Sequence, residues 1–171
     1  MKYAVLVVAL FACGKKSEDA AADKKTSESS SSPSAAAGGA LKWMAIDPLG
    51  IEVEMPACGQ IAFSDNNSAN VIAANTDHCG KAALTFNNLT KLQSFDEELK
   101  ILTGDVSPEF SRKDKTADGW IFELKMKESG DTLPHLRVEA LFKNISCSAD
   151  TMDAAEAATN AHACASMRAK R

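Results

Sequence analysis

From Ile51 to Phe142 the chain alternates apolar and polar side chains in short runs, the two-residue period of strands with one buried face. Ile51, Val53 and Met55 alternate with Glu52 and Glu54, after a turn at Asp47-Pro48-Leu49-Gly50, and the run stops at Pro56. Ile61-Ala62-Phe63, Val71-Ile72-Ala73-Ala74 and Ala83-Leu84-Thr85-Phe86 are three further short strands, separated by turn chemistry at Asp65-Asn66-Asn67-Ser68 and between Asp77 and Gly80. Together they predict an up-and-down meander. Ser94-Phe95-Asp96-Glu97 then sets a helix start, with Glu97 placed to reach back to Ser94. Phe95, Leu99 and Leu102 form its apolar stripe and Gly104 its stop.

Phe110–Lys115 and Trp120–Lys127 flank Thr116-Ala117-Asp118-Gly119, a hairpin signal. Leu136–Phe142 is a third strand of the same group. The segment from about Asp153 to Lys170 is rich in alanine, and Ala154, Ala157, Ala161 and Cys164 fall on one stripe at helical spacing. Arg168, Lys170 and Arg171 suit the negative end of such a helix. The expected fold class is α+β: an antiparallel sheet of about six or seven strands with packed helices, including a long C-terminal helix.

Four cysteines, Cys58, Cys79, Cys147 and Cys164, fall within this patterned region, and none belongs to a Cys-x-x-Cys pair. Zinc-ribbon and thioredoxin-like readings lose their support, and an even number implies two disulfides. In a meander the first and third turns lie at one end of the sheet, which pairs Cys58 with Cys79. Cys164, on the alanine face of the last helix, then meets Cys147 on the strand beneath it.

Ahead of the patterned region stand two segments of different character. Residues 1–12 combine a short basic start with an apolar stretch too short to span a membrane, the build of an export signal. Residues 13–40 carry Lys, Glu, Ser, Ala and Gly around Ser29-Ser30-Ser31-Ser32-Pro33 and lack large apolar side chains until the domain begins. That composition cannot offset its ordering entropy and predicts a tether, on the order of 90 Å when stretched and about 30 Å on average. Leu10-Phe11-Ala12-Cys13 resembles the bacterial lipobox; Phe11 departs from the small or hydroxyl residue usual at its position. The resemblance implies that Cys13 is acylated and becomes the first mature residue, and that the partner of this end is a membrane. Gly14 in place of the Asp that retains enteric lipoproteins in the inner membrane implies the outer membrane, facing periplasm or surface; a secreted protein is the alternative. The globular domain is then 41–171.

The net charge of −4 with 25% charged residues implies neither nucleic acid nor an anionic surface as partner. Of the histidines, His78 stands beside Asp77 and Cys79, while His135 and His162 are isolated. Asp96-Glu97-Glu98 is explained by the helix start. No nucleophile elbow, phosphate loop or calcium loop is present, so no catalytic residue, metal ligand or cofactor is expected. Sequons at Asn66, Asn88 and Asn144 are close to the one or two that chance gives, so they carry little. Trp43-Met44-Ala45-Ile46-Asp47-Pro48-Leu49-Gly50-Ile51-Glu52-Val53-Glu54-Met55-Pro56 looks like the opening strand of PsbP/Mog1-like domains, and Cys164-Ala165-Ser166-Met167-Arg168 is similar to endings of small bacterial lipoproteins. The resemblance implies an antiparallel sheet with packed helices and an accessory or binding role without catalysis. Two functions follow as expectations. One is a lipid-anchored module that binds an envelope protein. The other is a small-ligand or metal-binding lipoprotein with a pocket between sheet and helices near His78 or His135.

Overall fold

The computed structural model describes residues 40–65, 67–73, 79–104, 108–127 and 133–171. Cys13, the expected signal and tether, Asn66, Asp77 and His78 lie outside the described residues. Strands β1 (Leu41–Ile46) and β2 (Ile51–Pro56) pair antiparallel around a 3₁₀ turn at Asp47–Leu49. Gly50 closes that turn at φ 65°, donating its N–H to the Asp47 carbonyl at 3.1 Å. The run from Trp43 to Pro56 is therefore a hairpin and not a single opening strand.

Strands β3 (Gln60–Asp65), β4 (Ser68–Ala73) and β5 (Ala82–Asn88) form one meander. After helix α1 (Phe95–Thr103), strands β6 (Glu109–Lys115), β7 (Gly119–Met126), β8 (His135–Phe142) and β9 (Ile145–Thr151) form a second. The two meanders join through β5 and β9 into a seven-stranded antiparallel sheet ordered β3-β4-β5-β9-β8-β7-β6. Helix α2 (Ala154–Ala165) follows, and β10 (Arg168–Ala169) then adds to β2 as the third strand of the smaller sheet.

Burial follows the pleat. One face of the large sheet offers Val71, Leu84, Phe86, Val138, Ala140 and Cys147 to β2 and α2, and this is the larger core. The other face offers Trp120, Phe122, Leu124 and Leu141 to α1, with Phe122 stacked on Phe95 at 4.9 Å between ring centres.

Several expectations change here. The fold is mainly antiparallel sheet, ten strands in two sheets among the described residues, richer in sheet than a balanced α+β chain. The expected meander starting at Ile51 is broken: Pro56 ends β2, and the chain crosses to the other sheet before β3. A tight turn at Lys143-Asn144, with Lys143 at φ 54°, sends the chain straight back as β9. The terminal helix stops at Ala165, short of Lys170. Its stop is tertiary: the Ser166 hydroxyl donates to the Ala163 carbonyl at 2.8 Å and accepts the Glu54 N–H at 2.8 Å. Arg168 then lies against the Trp43 ring at 3.3 Å and bonds Glu52 at 2.6 Å, while Lys170 bonds Asp47 at 2.7 Å. These cations serve strand pairs and aromatic contact in place of the helix end.

Candidate functional site

The cysteines stand in the two expected pairs. Cys58 and Cys79 are joined with their Cα atoms 6.1 Å apart, and Cys147 and Cys164 with theirs 5.6 Å apart. The first pairing survives the broken meander because β3 and β5 both run antiparallel to β4. Their starts lie at one end of the sheet, and each cysteine precedes one of those starts. The second pair fixes α2 to β9. Two such bonds belong to an oxidising compartment outside the cytoplasm. Among the described residues no helix is long and apolar enough to cross a membrane.

The two described histidines are not brought together. His162 Nε2 lies 3.0 Å from Glu54 Oε2, joining α2 to β2. His135 Nε2 lies 3.3 Å from Asp150 Oδ1 across β8 and β9. Among the described residues no group of three or more histidine, cysteine or acidic side chains is placed to hold a metal ion.

Beneath α1 lies a charged row that sequence reasoning missed. Glu98, read from its neighbours as a helix-start acid, is only 6% exposed. It sits three residues after Phe95 and four before Leu102, on the buried stripe, and that spacing was the available signal. The Glu139 carboxyl on β8 lies beside it. Burial, then the Glu98 carboxyl and its charge, push Glu139 up to about 7, against the pull of Arg137. Arg137 bonds Asp150 at 2.8 Å and reaches Glu139 at 3.4 Å, and the Asp150 bond holds its guanidinium firmly charged. Neither Glu98 nor Glu139 lines the two clefts beside α2.

The edges of the large sheet differ in charge. At one end β6 carries Glu109, Arg112, Lys113, Asp114 and Lys115, and a register break between Phe110 and Arg112 bends it. Arg112 is tied to Asp114 and to Glu123, at 2.5 and 3.2 Å. Charge and bulges are how natural sheets close an edge to further pairing. At the other end β3, among the described residues, pairs only with β4; it has a register break of its own between Phe63 and Asp65, but from Gln60 to Ser64 it has no charged residue and no proline. Asp65, at its end, is occupied by the turn: it accepts the Asn67 N–H at 2.7 Å and the Ser68 hydroxyl at 3.1 Å. These bonds hold its carboxyl below the usual carboxylate range. Ile61 packs against the larger core, but Phe63, on the same side of the strand, is 50% exposed. An uncharged edge with an exposed aromatic offers backbone N–H and C=O groups to one more strand.

Comparison of the chain with family models, with curated proteins and with solved structures gives no match.

Proposed function

We propose that this chain is a lipid-anchored envelope module that binds another protein by taking an extended segment of it onto β3. The open β3 edge, at the opposite end of the sheet from the guarded β6, is the observation that carries the reading. An added strand gains main-chain hydrogen bonds from β3, and its own alternate side chains can cover Phe63. The disulfide at Cys58, two residues before β3, braces the strand at the end where a partner would begin to pair. The lipobox-like Leu10-Phe11-Ala12-Cys13 and the Ser/Ala-rich segment after it support delivery of this edge from a membrane surface, with acylation at Cys13 and the outer membrane as its site.

Phe63→Lys tests the edge. A lysine guards an edge strand and Phe63 is half-exposed, so both disulfides should be kept while the partner is lost. A photo-crosslinker at Phe63 should capture an extended segment of a second protein that the same group at Lys113 does not. Unchanged capture by Phe63→Lys, or equal crosslinking from both edges, overturns the reading. Crosslinks only to a second copy of this chain would make β3 a self-association edge, against the accessory role. Cys13→Ser should move the protein from the membrane to the soluble fraction and abolish labelling by a palmitate analogue; equal labelling of wild type and variant removes the anchor.

A further inference from the structure

The smaller sheet has one face in the core and one outside. Met44, Ile46, Ile51, Val53 and Met55 pack into the larger core. The alternate residues of β1, Leu41, Trp43 and Ala45, stand on the outer face, level with Pro56, Glu54 and Glu52 of β2. Leu41 is 44% and Trp43 39% exposed, two large apolar side chains on one face of an edge strand. The charges around them are answered in place. Arg168 lies over the Trp43 ring at 3.3 Å and bonds Glu52 at 2.6 Å. His162 meets Glu54 at 3.0 Å, and Lys170 meets Asp47 at 2.7 Å. Lys42, on the other side of the strand, and Arg171, after Lys170, are exposed. The Ala40 carbonyl accepts the Ala57 N–H at 2.9 Å, so the hairpin is held up to the residue that ends the expected tether. Leu41 and Trp43 therefore stand at the root of that segment.

We propose that the outer face of β1 rests on the lipid surface that holds the chain, with Leu41 and Trp43 in the headgroup layer. This contact presupposes acylation at Cys13, as proposed above. Size decides against a protein on this face. A stable protein interface buries on the order of 800 Å² per partner, of which two half-exposed side chains are a small part. They suit a weak contact that attachment makes effective. Residues 14–40 span about 30 Å on average, so the domain meets the surface repeatedly without a diffusional search. A contact too weak to capture a free protein is populated under those conditions. The chemistry fits the layer as well. Tryptophan has an apolar body and a polar N–H, the build that collects at headgroup level. Arg168 and Lys170 are spent on Glu52 and Asp47, so the contact does not depend on anionic lipid.

The test uses the full acylated chain on phosphatidylcholine vesicles brominated close to the headgroup, which quench tryptophan only on contact. Trp43 and Trp120 are the two tryptophans, and Trp120 is buried. The difference between wild type and Trp43→Phe gives the emission of Trp43. Bromination should cut that emission about twofold, for a contact made about half of the time, and leave Trp120 in Trp43→Phe unchanged. Leu41→Asp should weaken the contact about fivefold and restore nearly all of the emission. Ile101 on α1 is 58% exposed and lies across the large sheet from β1. Ile101→Trp in the Trp43→Phe chain should escape quenching. Adding phosphatidylglycerol should leave every value as it is. A chain that fails to float with the vesicles removes the anchor, and the docking with it. A chain that floats with Trp43 unquenched overturns the docking alone. Equal quenching at Ile101→Trp, full quenching in Leu41→Asp, or quenching only with the anionic lipid would each overturn it too.

Discussion

The two helices cover opposite faces of one sheet and are held there by different means. α2 is fixed covalently through Cys147–Cys164, and Glu156, buried on its inner side, is answered by Lys81 and Thr151. α1 has no covalent tie. Its hold is an aromatic cluster, Phe95, Phe110 and Trp120 around Phe122, and beside that cluster lies a contact between two acids, Glu98 and Glu139. One face is fixed by covalent bond and matched charge. The other rests on apolar contact beside two acids, of which Glu139 is reached by Arg137 at 3.4 Å. The fixed face is the one that β2 shares, and β2 leads directly into Cys58 and the β3 edge. The adjustable face lies nearer the guarded edge at β6.

The largest effect should come from the face without a staple. Phe122 is fully buried and meets three other rings. Phe122→Ala removes the centre of that cluster and should cost about 3–5 kcal/mol, read from the urea midpoint. Hydrogen exchange should show α1 losing protection ahead of α2. A loss shared equally by both helices would mean that the two faces melt as one body and that the contrast is only one of contacts.

Next in size is the staple itself. Cys147 and Cys164 close a loop with a sequence separation of 17. Replacing both by alanine releases about 3 kcal/mol of restraint on the unfolded chain, in the chain-entropy view. Chemical denaturation of the double variant, with Cys58–Cys79 kept, measures it. A change under about 1 kcal/mol would show that α2 holds by packing alone, which would erase the difference between the helices.

α1 was the element most legible in the sequence, because everything that starts and stops it is local. Ser94 and Glu97 exchange the two bonds of a capping box, at 3.3 and 2.8 Å, and Gly104 ends the helix. The hairpin of β6 and β7 was equally plain, with Gly119 where any side chain would collide with the Leu141 carbonyl. What stayed hidden depends on distant partners. Nothing near Ser166 announces that it will bond Glu54, or that Arg168 will leave the helix for Trp43 and Glu52. The division into two sheets is hidden for the same reason, since Ile51-Glu52-Val53-Glu54-Met55 reads alike in either. Of the candidate sites, the open edge was visible as an uncharged strand, but not that it would be an edge. Glu98 was masked by two acidic neighbours whose roles at the helix start are genuine.

The smallest effect is the most specific to the comparison. Glu139 rises from an ordinary 4.5 to about 7 in the fold, so the native state binds more protons than the unfolded chain between those values. Stability must then fall as pH rises through that window and level off above it. Arg137 beside Glu139, with Asp150 and the His135 imidazole at the end of the row, are the groups that face the pair from β8 and β9. The fall should be on the order of 1–2 kcal/mol once solvent at the 21%-exposed Glu139 side chain is allowed for. Glu139→Gln keeps the shape of the side chain beside Glu98 and removes the titration. Its melting temperature should be nearly level from pH 5 to 7.5, and at pH 7.5 it should exceed that of the wild type. Exchange corrected for intrinsic rates should place the wild-type change in α1, with α2 unmoved. If Glu139→Gln falls with pH as steeply as the wild type, or if α2 loosens along with α1, the carboxyl pair is not what sets the two faces apart.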